Sequence, residues 1–247
     1  MNATVKEGLD VKRRSAMTML AGMAGGAIIG TGFCSGLPIS QAYAATGGTE
    51  DDAVDLIAKI REQLAANGDT VEEVLRSFGY EDAAAEFAEG TSGSSGATGP
   101  RRAAASNQTK KALRASVTAI GASFLAMGYK LSAELALHGL DLTRTGTTYV
   151  PKNGSIAGKS ATVAALRKKT AKSGSATFNK TGGTIGYDLY YSIHKFNWSK
   201  SGGKTIIRDV HDFQKGDYAG IQQKVINVMV AAQRQRAIYP FNIKITV

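Results

Sequence analysis

Cysteine is almost absent: Cys34 is the only one in 247 residues. A disulfide and a cysteine-ligated zinc are therefore excluded, and removal of the first 44 residues would leave no thiol at all. Histidine is nearly as scarce, with His138, His194 and His211 the full set. Acidic residues thin out along the chain, and after residue 99 only Glu134, Asp141, Asp188, Asp209, Asp212 and Asp217 remain. No internal repeat is visible, and beyond the N-terminal region no run is long and apolar enough to read as a membrane span. Rare titratable groups are informative where they gather, because chemistry needs them and a core does not.

The N-terminal 44 residues have the order of an export signal. A polar start ends in Lys12-Arg13-Arg14, an uncharged Ala/Gly/Met-rich stretch runs from Ser15 to Phe33, and Ala42-Tyr43-Ala44 offers a small-x-small cleavage site. The Arg13-Arg14 pair points to the twin-arginine route. An uncleaved anchor is the alternative, although the stretch carries Gly22, Gly25, Gly26, Gly30 and Gly32 where an anchor favours Leu and Ile. A lipoprotein site at Cys34 is disfavoured by Phe33 before it. The expected location is outside the cytoplasmic membrane.

Charge splits the rest. Residues 45 to 99 carry three Lys/Arg against twelve Asp/Glu, a net of −9, and residues 100 to 247 carry twenty-three against six, a net of +17. The expected division is a signal at 1–44, an acidic helical segment at 45–90, a Gly/Ser linker at 91–105 and a basic domain at 106–247. The acidic segment is expected either to mask the basic domain until Arg101-Arg102 is cut or to stand as a solvated helical spacer. Capping-box spacing at Thr49/Asp52 and Asp69/Glu72, with apolar stripes Val54-Ile57-Ile60-Leu64 and Val71-Val74-Leu75-Phe78, predicts its helices.

In the basic part the stripe from Leu113 to Leu135 predicts a long helix interrupted at Gly128, and 160–169 a short one. Residues 140–185 otherwise read as irregular. Tyr187–Trp198 and Thr205–Phe213 read as strands joined at Ser201-Gly202-Gly203, Asp217 as the cap of a helix with stripe Ile221-Val225-Val228-Met229-Ala232, and Phe241 to Val247 as a half-buried strand. The fold class is α+β: a helical N-terminal segment, then a long helix, a small antiparallel sheet and a packed helix.

Two motifs tempt. Gly154-Ser155-Ile156-Ala157-Gly158-Lys159-Ser160 looks like a phosphate loop, but it has three residues between its glycines where such a loop needs four, and no apolar strand precedes it. The clusters Lys110-Lys111-Arg114 and Arg167-Lys168-Lys169-Lys172 imply an anionic partner. For an exported protein, wall polymers, lipids and phosphorylated precursors come before nucleic acid, and a merely solvated face is the plainer alternative.

The C-terminal hairpin concentrates the rare groups. His194 is expected on its first strand, opposite residues 209 to 211 of the second, where Asp209 and Asp212 flank His211 and Arg208 precedes them. Asp209 and His211 share a strand face. Asp209, Asp212, His211 and His194 are the candidate catalytic residues, Arg208 the candidate phosphate clamp, and Asp209 with Asp212 the candidate ligands of Mg2+ or another divalent cation. Alternatively, the two aspartates make strand-end turns and pair with lysines.

The stretches Asp188 to Phe196 and Ile207 to Phe213, with Gly128 to Leu135 and His138, resemble a group of secreted Gram-positive proteins over residues 107–247. Within them, Asp209-x-His211-Asp212-Phe213 is similar to the Asp-x-Tyr-Asp signature of colicin M-like bacteriocins. That resemblance implies cleavage of lipid II at its phosphate linkage, with acidic residues and a divalent cation. It reaches Asp209 and Asp212 only: the family's tyrosine is His211 here, and Asp217-Tyr218-Ala219 occupies the region of its His-Arg pair. The expectation is thus a secreted antibacterial hydrolase acting on lipid II. The alternative is a non-catalytic envelope protein binding anionic wall polymers or lipids through its basic surface.

Overall fold

The computed structural model describes residues 49–92, 101–144, 146–213 and 220–247. The expected export signal, the expected cleavage site at Ala42–Ala44 and the cap expected at Asp217 lie outside the described residues. The order is α1 (Thr49–Ala65), α2 (Val71–Ser77), α3 (Glu81–Ser92), α4 (Arg101–Ala126), α5 (Lys130–His138), β1 (Thr148–Tyr149), a 3-10 segment (Lys152–Lys159), α6 (Ala161–Lys168), β2 (Ser173–Thr177), α7 (Gly183–Ser192), β3 (Lys195–Ser201), β4 (Lys204–His211), α8 (Gly220–Arg234) and β5 (Phe241–Thr246). The α+β class holds. The sheet has five strands in the order β1-β5-β4-β3-β2 and is mixed, since β1 joins β5 in parallel and the other pairs are antiparallel.

Two apolar clusters organise the molecule. One unites α1 to α5 with α8 through Leu56, Leu75, Phe87, Leu113, Val117 and Met229, among others. The other lies under one face of the sheet, where Phe178, Leu189, Trp198, Ile207, Ile243 and Ile245 pack with α5, α6 and α7. Helix α5 serves both. Leu131 and Leu135 enter the sheet cluster, Ala133, Ala136 and Leu137 the helical one, and every residue from 131 to 137 is buried. Such a helix must have its polar groups answered internally. The buried Asp188 of α7 accepts the N–H groups of Leu131 at 3.0 Å and Ser132 at 2.7 Å, supplying the cap that Tyr129 cannot. The buried Glu134 accepts the N–H groups of Lys152 (2.6 Å) and Asn153 (2.9 Å) and the Tyr149 hydroxyl (2.6 Å).

Those bonds explain the loop that resembled a phosphate cradle. Glu134 pins its start, and a Cβ on Gly154 would sit 2.9 Å from Ile245 Cγ1. The glycine admits the segment against the sheet.

The acidic segment is neither spacer nor separate hairpin, because Leu56, Ile60, Leu75, Ala84 and Phe87 are buried in a core shared with α4. Glu86 of α3 pairs with Arg114 of α4, and Asp55 of α1 with Lys224 of α8. Arg114 therefore does not join Lys110 and Lys111 in a solvent-facing cluster. Val54 and Phe78 are exposed rather than in their stripes, at 58% and 38%. The capping box is Thr70 with Glu73, one residue beyond the pair expected at Asp69/Glu72. Of the expected linker, residues 91–92 end α3 and 101–105 open α4, while 93–100 lie outside the described residues.

The larger correction concerns Tyr187–Trp198. Residues 187–192 belong to α7, and β3 starts at Lys195. Asp188, Leu189 and Ser192 are buried at helical spacing, and that burial overrides the β preference of the aromatic residues between them. The hairpin itself forms as expected, with Ser201 paired to Lys204 and Gly202 and Gly203 at φ 56° and 74°. Positive φ at both central residues is the type I′ turn that suits strand twist. Its second strand stops at His211. The region expected to be irregular supplies β1 and β2.

Candidate functional site

A cavity of about 530 Å³ opens where β4 ends, β3 begins and α7 turns into β3. Leu56 and Ile60 of α1, Ile120 and Phe124 of α4, Met127 just past its end and Val225 of α8 form its apolar side. Its polar side carries His194, Lys195, Asn197, Asp209, His211 and Asp212. Four of the five sequence candidates, distant as the chain runs, thus meet on one surface.

Asp209 and His211 alternate inward along β4 with Ile207, and Asp212 follows the strand end into solvent. Burial pushes the Asp209 carboxyl up to about 7, against a hydrogen bond from the Val210 backbone, and the nearby charge of Asp212 raises it further. A carboxyl so placed exchanges its proton near neutrality. His211 is 8% exposed, wedged edge-on against Phe213 and beside Phe241. Burial brings its imidazole down to about 4, opposed by a hydrogen bond with the Ser192 backbone and by Asp212. The ring is neutral at pH 7, and its Nε2 has no hydrogen-bond partner among the described residues.

His194 is not on a strand. It forms the corner between α7 and β3 with φ 30°, one of two described non-glycine residues at positive φ. The strain is held by hydrogen bonds at both ends: its N–H donates to Leu189 O (3.2 Å) and its carbonyl accepts from Phe178 N–H (2.7 Å). Strained backbone on a cavity wall is a common mark of a working residue. Burial, then the charges of Lys180 and Lys195, hold its pKa below the usual histidine value. Lys180 lies 4.6 Å from the Tyr190 ring centroid, and Tyr190 packs against His194 at 4.6 Å.

Arg208 does not take part. It lies on the opposite face of β4, exposed, with Nη1 donating to Ser199 Oγ at 3.0 Å. A phosphate in the cavity would meet Lys195 instead. Among the described residues no three His, Cys, Asp or Glu side chains are grouped so as to hold an ion; Asp209 and Asp212, the pair expected to bind a divalent cation, both line the cavity.

Tyr190, Lys195, Asn197 and the apolar wall were not singled out from sequence. Tyr190 and Lys195 stand in the stretch that carried the resemblance. Nothing in the spacing of Leu56, Ile120 and Val225 says that three helices converge on the hairpin. Among the described residues no helix is long and apolar enough to cross a membrane. Searches of protein-family models, curated proteins and solved structures found no match to this chain.

Proposed function

We propose that this chain is an exported acid–base hydrolase whose cavity takes an amphiphilic substrate, with the lipid-linked wall precursor lipid II as the first compound to test. The observation that carries the reading is Asp209: a carboxyl that titrates near pH 7, inside a cavity with one apolar and one polar side. An acid whose pKa sits near working pH can both give and take a proton during turnover. Asp209 would protonate the leaving oxygen, and His194, neutral at pH 7, would take the proton of the attacking water. Water's O–H bond breaks and its oxygen joins the scissile centre. The bond to the leaving oxygen breaks as Asp209 delivers its proton, and the proton on His194 returns to Asp209 through solvent. Lys195 offers positive charge to an anionic headgroup, and Leu56, Ile60 and Phe124 receive its hydrocarbon.

Export rests on the Arg13-Arg14 leader and the Ala42-Tyr43-Ala44 site. Antibacterial action is the consequence expected if lipid II is the compound cleaved. The test is incubation of the folded chain with lipid II, with and without magnesium, beside Asp209→Asn. Head-group release by the parent, lost at least about a hundredfold in the variant, supports the reading. A folded parent that releases nothing in either buffer overturns it.

A further inference from the structure

Among the described residues, nothing covers the second face of the sheet. Register places Ser175, Asn197, Arg208 and Lys244 side by side in one row across β2, β3, β4 and β5. Neighbouring rows add Lys195 beside Thr177 and, past the turn, Lys204 beside Ser201. Alternate residues facing this side are mostly exposed, whereas their neighbours Trp198, Ile207 and Ile243 are buried beneath. The positions that the pairing assigns to this face hold four cations (Lys195, Lys204, Arg208 and Lys244) and no Asp or Glu. Serine, threonine and asparagine fill most of the rest.

We infer that this open sheet face binds an extended phosphodiester polymer that lacks nucleobases. Charge complementarity fixes the sign of the partner, since cations stand in adjacent strands with no carboxylate among them. Strands about 4.8 Å apart place Arg208 and Lys244 close enough to bracket one phosphate, with hydroxyl and amide donors on either side. The positions of this face carry no aromatic side chain, which decides against single-stranded nucleic acid. Single-stranded binders hold bases by stacking, and here the one tryptophan, Trp198, points into the core. The face also runs into the cavity, because Ser175, Lys195, Asn197 and Val210 belong to both. A polymer on the sheet would therefore lead to the acid–base residues, but binding does not depend on the hydrolase reading.

The test is binding of fluorescein-labelled poly(glycerol phosphate), a phosphodiester chain without bases, to the full chain at 50 and 300 mM NaCl. Parent and Asp209→Asn should bind alike, which separates this surface from the chemistry. Arg208→Glu/Lys244→Glu should bind at least about tenfold more weakly and with a shallower salt dependence, as expected when phosphate contacts are removed. Arg208→Lys/Lys244→Arg should stay within about threefold of the parent, and Lys110→Glu/Lys111→Glu on α4 within about twofold; circular dichroism checks each fold. Equal losses from the two charge-reversal pairs, no loss from the first, or tighter binding of single-stranded DNA than of poly(glycerol phosphate) at equal charge would each overturn the inference.

Discussion

Arg114 and Glu86 are joined by a two-pronged ion pair, with Nη2 and Oε2 2.9 Å apart, and the same guanidinium donates to the carbonyls of Leu140 (3.1 Å) and Ala237 (3.0 Å). One side chain, 18% exposed, thereby ties the acidic helix α3 to α4 and to the chain segments after α5 and α8. Arg114→Ala should destabilise the fold by about 2 kcal/mol, because it leaves the Leu140 and Ala237 carbonyls without their donor and removes the ion pair to the half-exposed Glu86. Glu86→Gln should cost less than half of that, since the carbonyl bonds survive. Urea denaturation of both variants checks the ratio.

Asp209 and His211 make opposite contributions to stability as pH changes. The Asp209 pKa is raised from 3.8 to about 7 on folding, so the folded state holds the extra proton; its contribution is complete below 3.8 and is lost as pH rises through 7. The His211 pKa is lowered from 6.5 to about 4, so the unfolded state takes the extra proton; the penalty is absent above 6.5 and grows as pH falls to 4. Between those limits the slopes oppose. Asp209→Asn should leave the histidine slope alone, so its melting temperature should fall more steeply than the parent's from pH 6.5 to 4.5. Above pH 7 the variant should be the more stable chain. Scanning calorimetry from pH 4.5 to 8.5 reads both effects, and parallel profiles would show that Asp209 ionises normally.

Cleavage at Arg101-Arg102 should not release the acidic segment. If charge alone held a −9 segment on a +17 one, high salt would part them, because exposed attractions fade within a Debye length of about 3 Å at 1 M. The buried side chains of α1 to α3 give a bond that salt strengthens instead. After a limited tryptic cut, both pieces should elute together at 1 M NaCl. The piece beginning near residue 103, isolated after denaturation, should bind a hydrophobic dye strongly, since Leu113, Val117 and Ile120 lose their cover.

Much of this site was legible along the chain, and the reasons differ residue by residue. Asp209, His211 and Asp212 stood out because acids and histidines are rare after residue 99, and strand alternation put the first two on one face. His194 was found for the same scarcity but given the wrong support, since α7 is helical through buried contacts that aromatic composition does not reveal. Arg208 failed on parity: adjacent to Asp209, it must face the other way once β4 is a strand. Edge strand β2, Ser-Gly-Ser-Ala-Thr, has no apolar alternation to betray it. Its place is set by pairing with β3, a long-range fact that local pattern cannot carry.

The nine residues of α5 are common property of both apolar clusters. Neither cluster can come apart without exposing a helix that the other still needs, so the bundle and the sheet have no separate melting points. Asp188 holds the start of this helix and its own Glu134 ties its middle to Lys152 and Asn153, which makes it the segment whose amides should exchange last with deuterated solvent. Disturbance at the cavity, which both halves line, is thereby spread through the whole molecule and not confined to a flap.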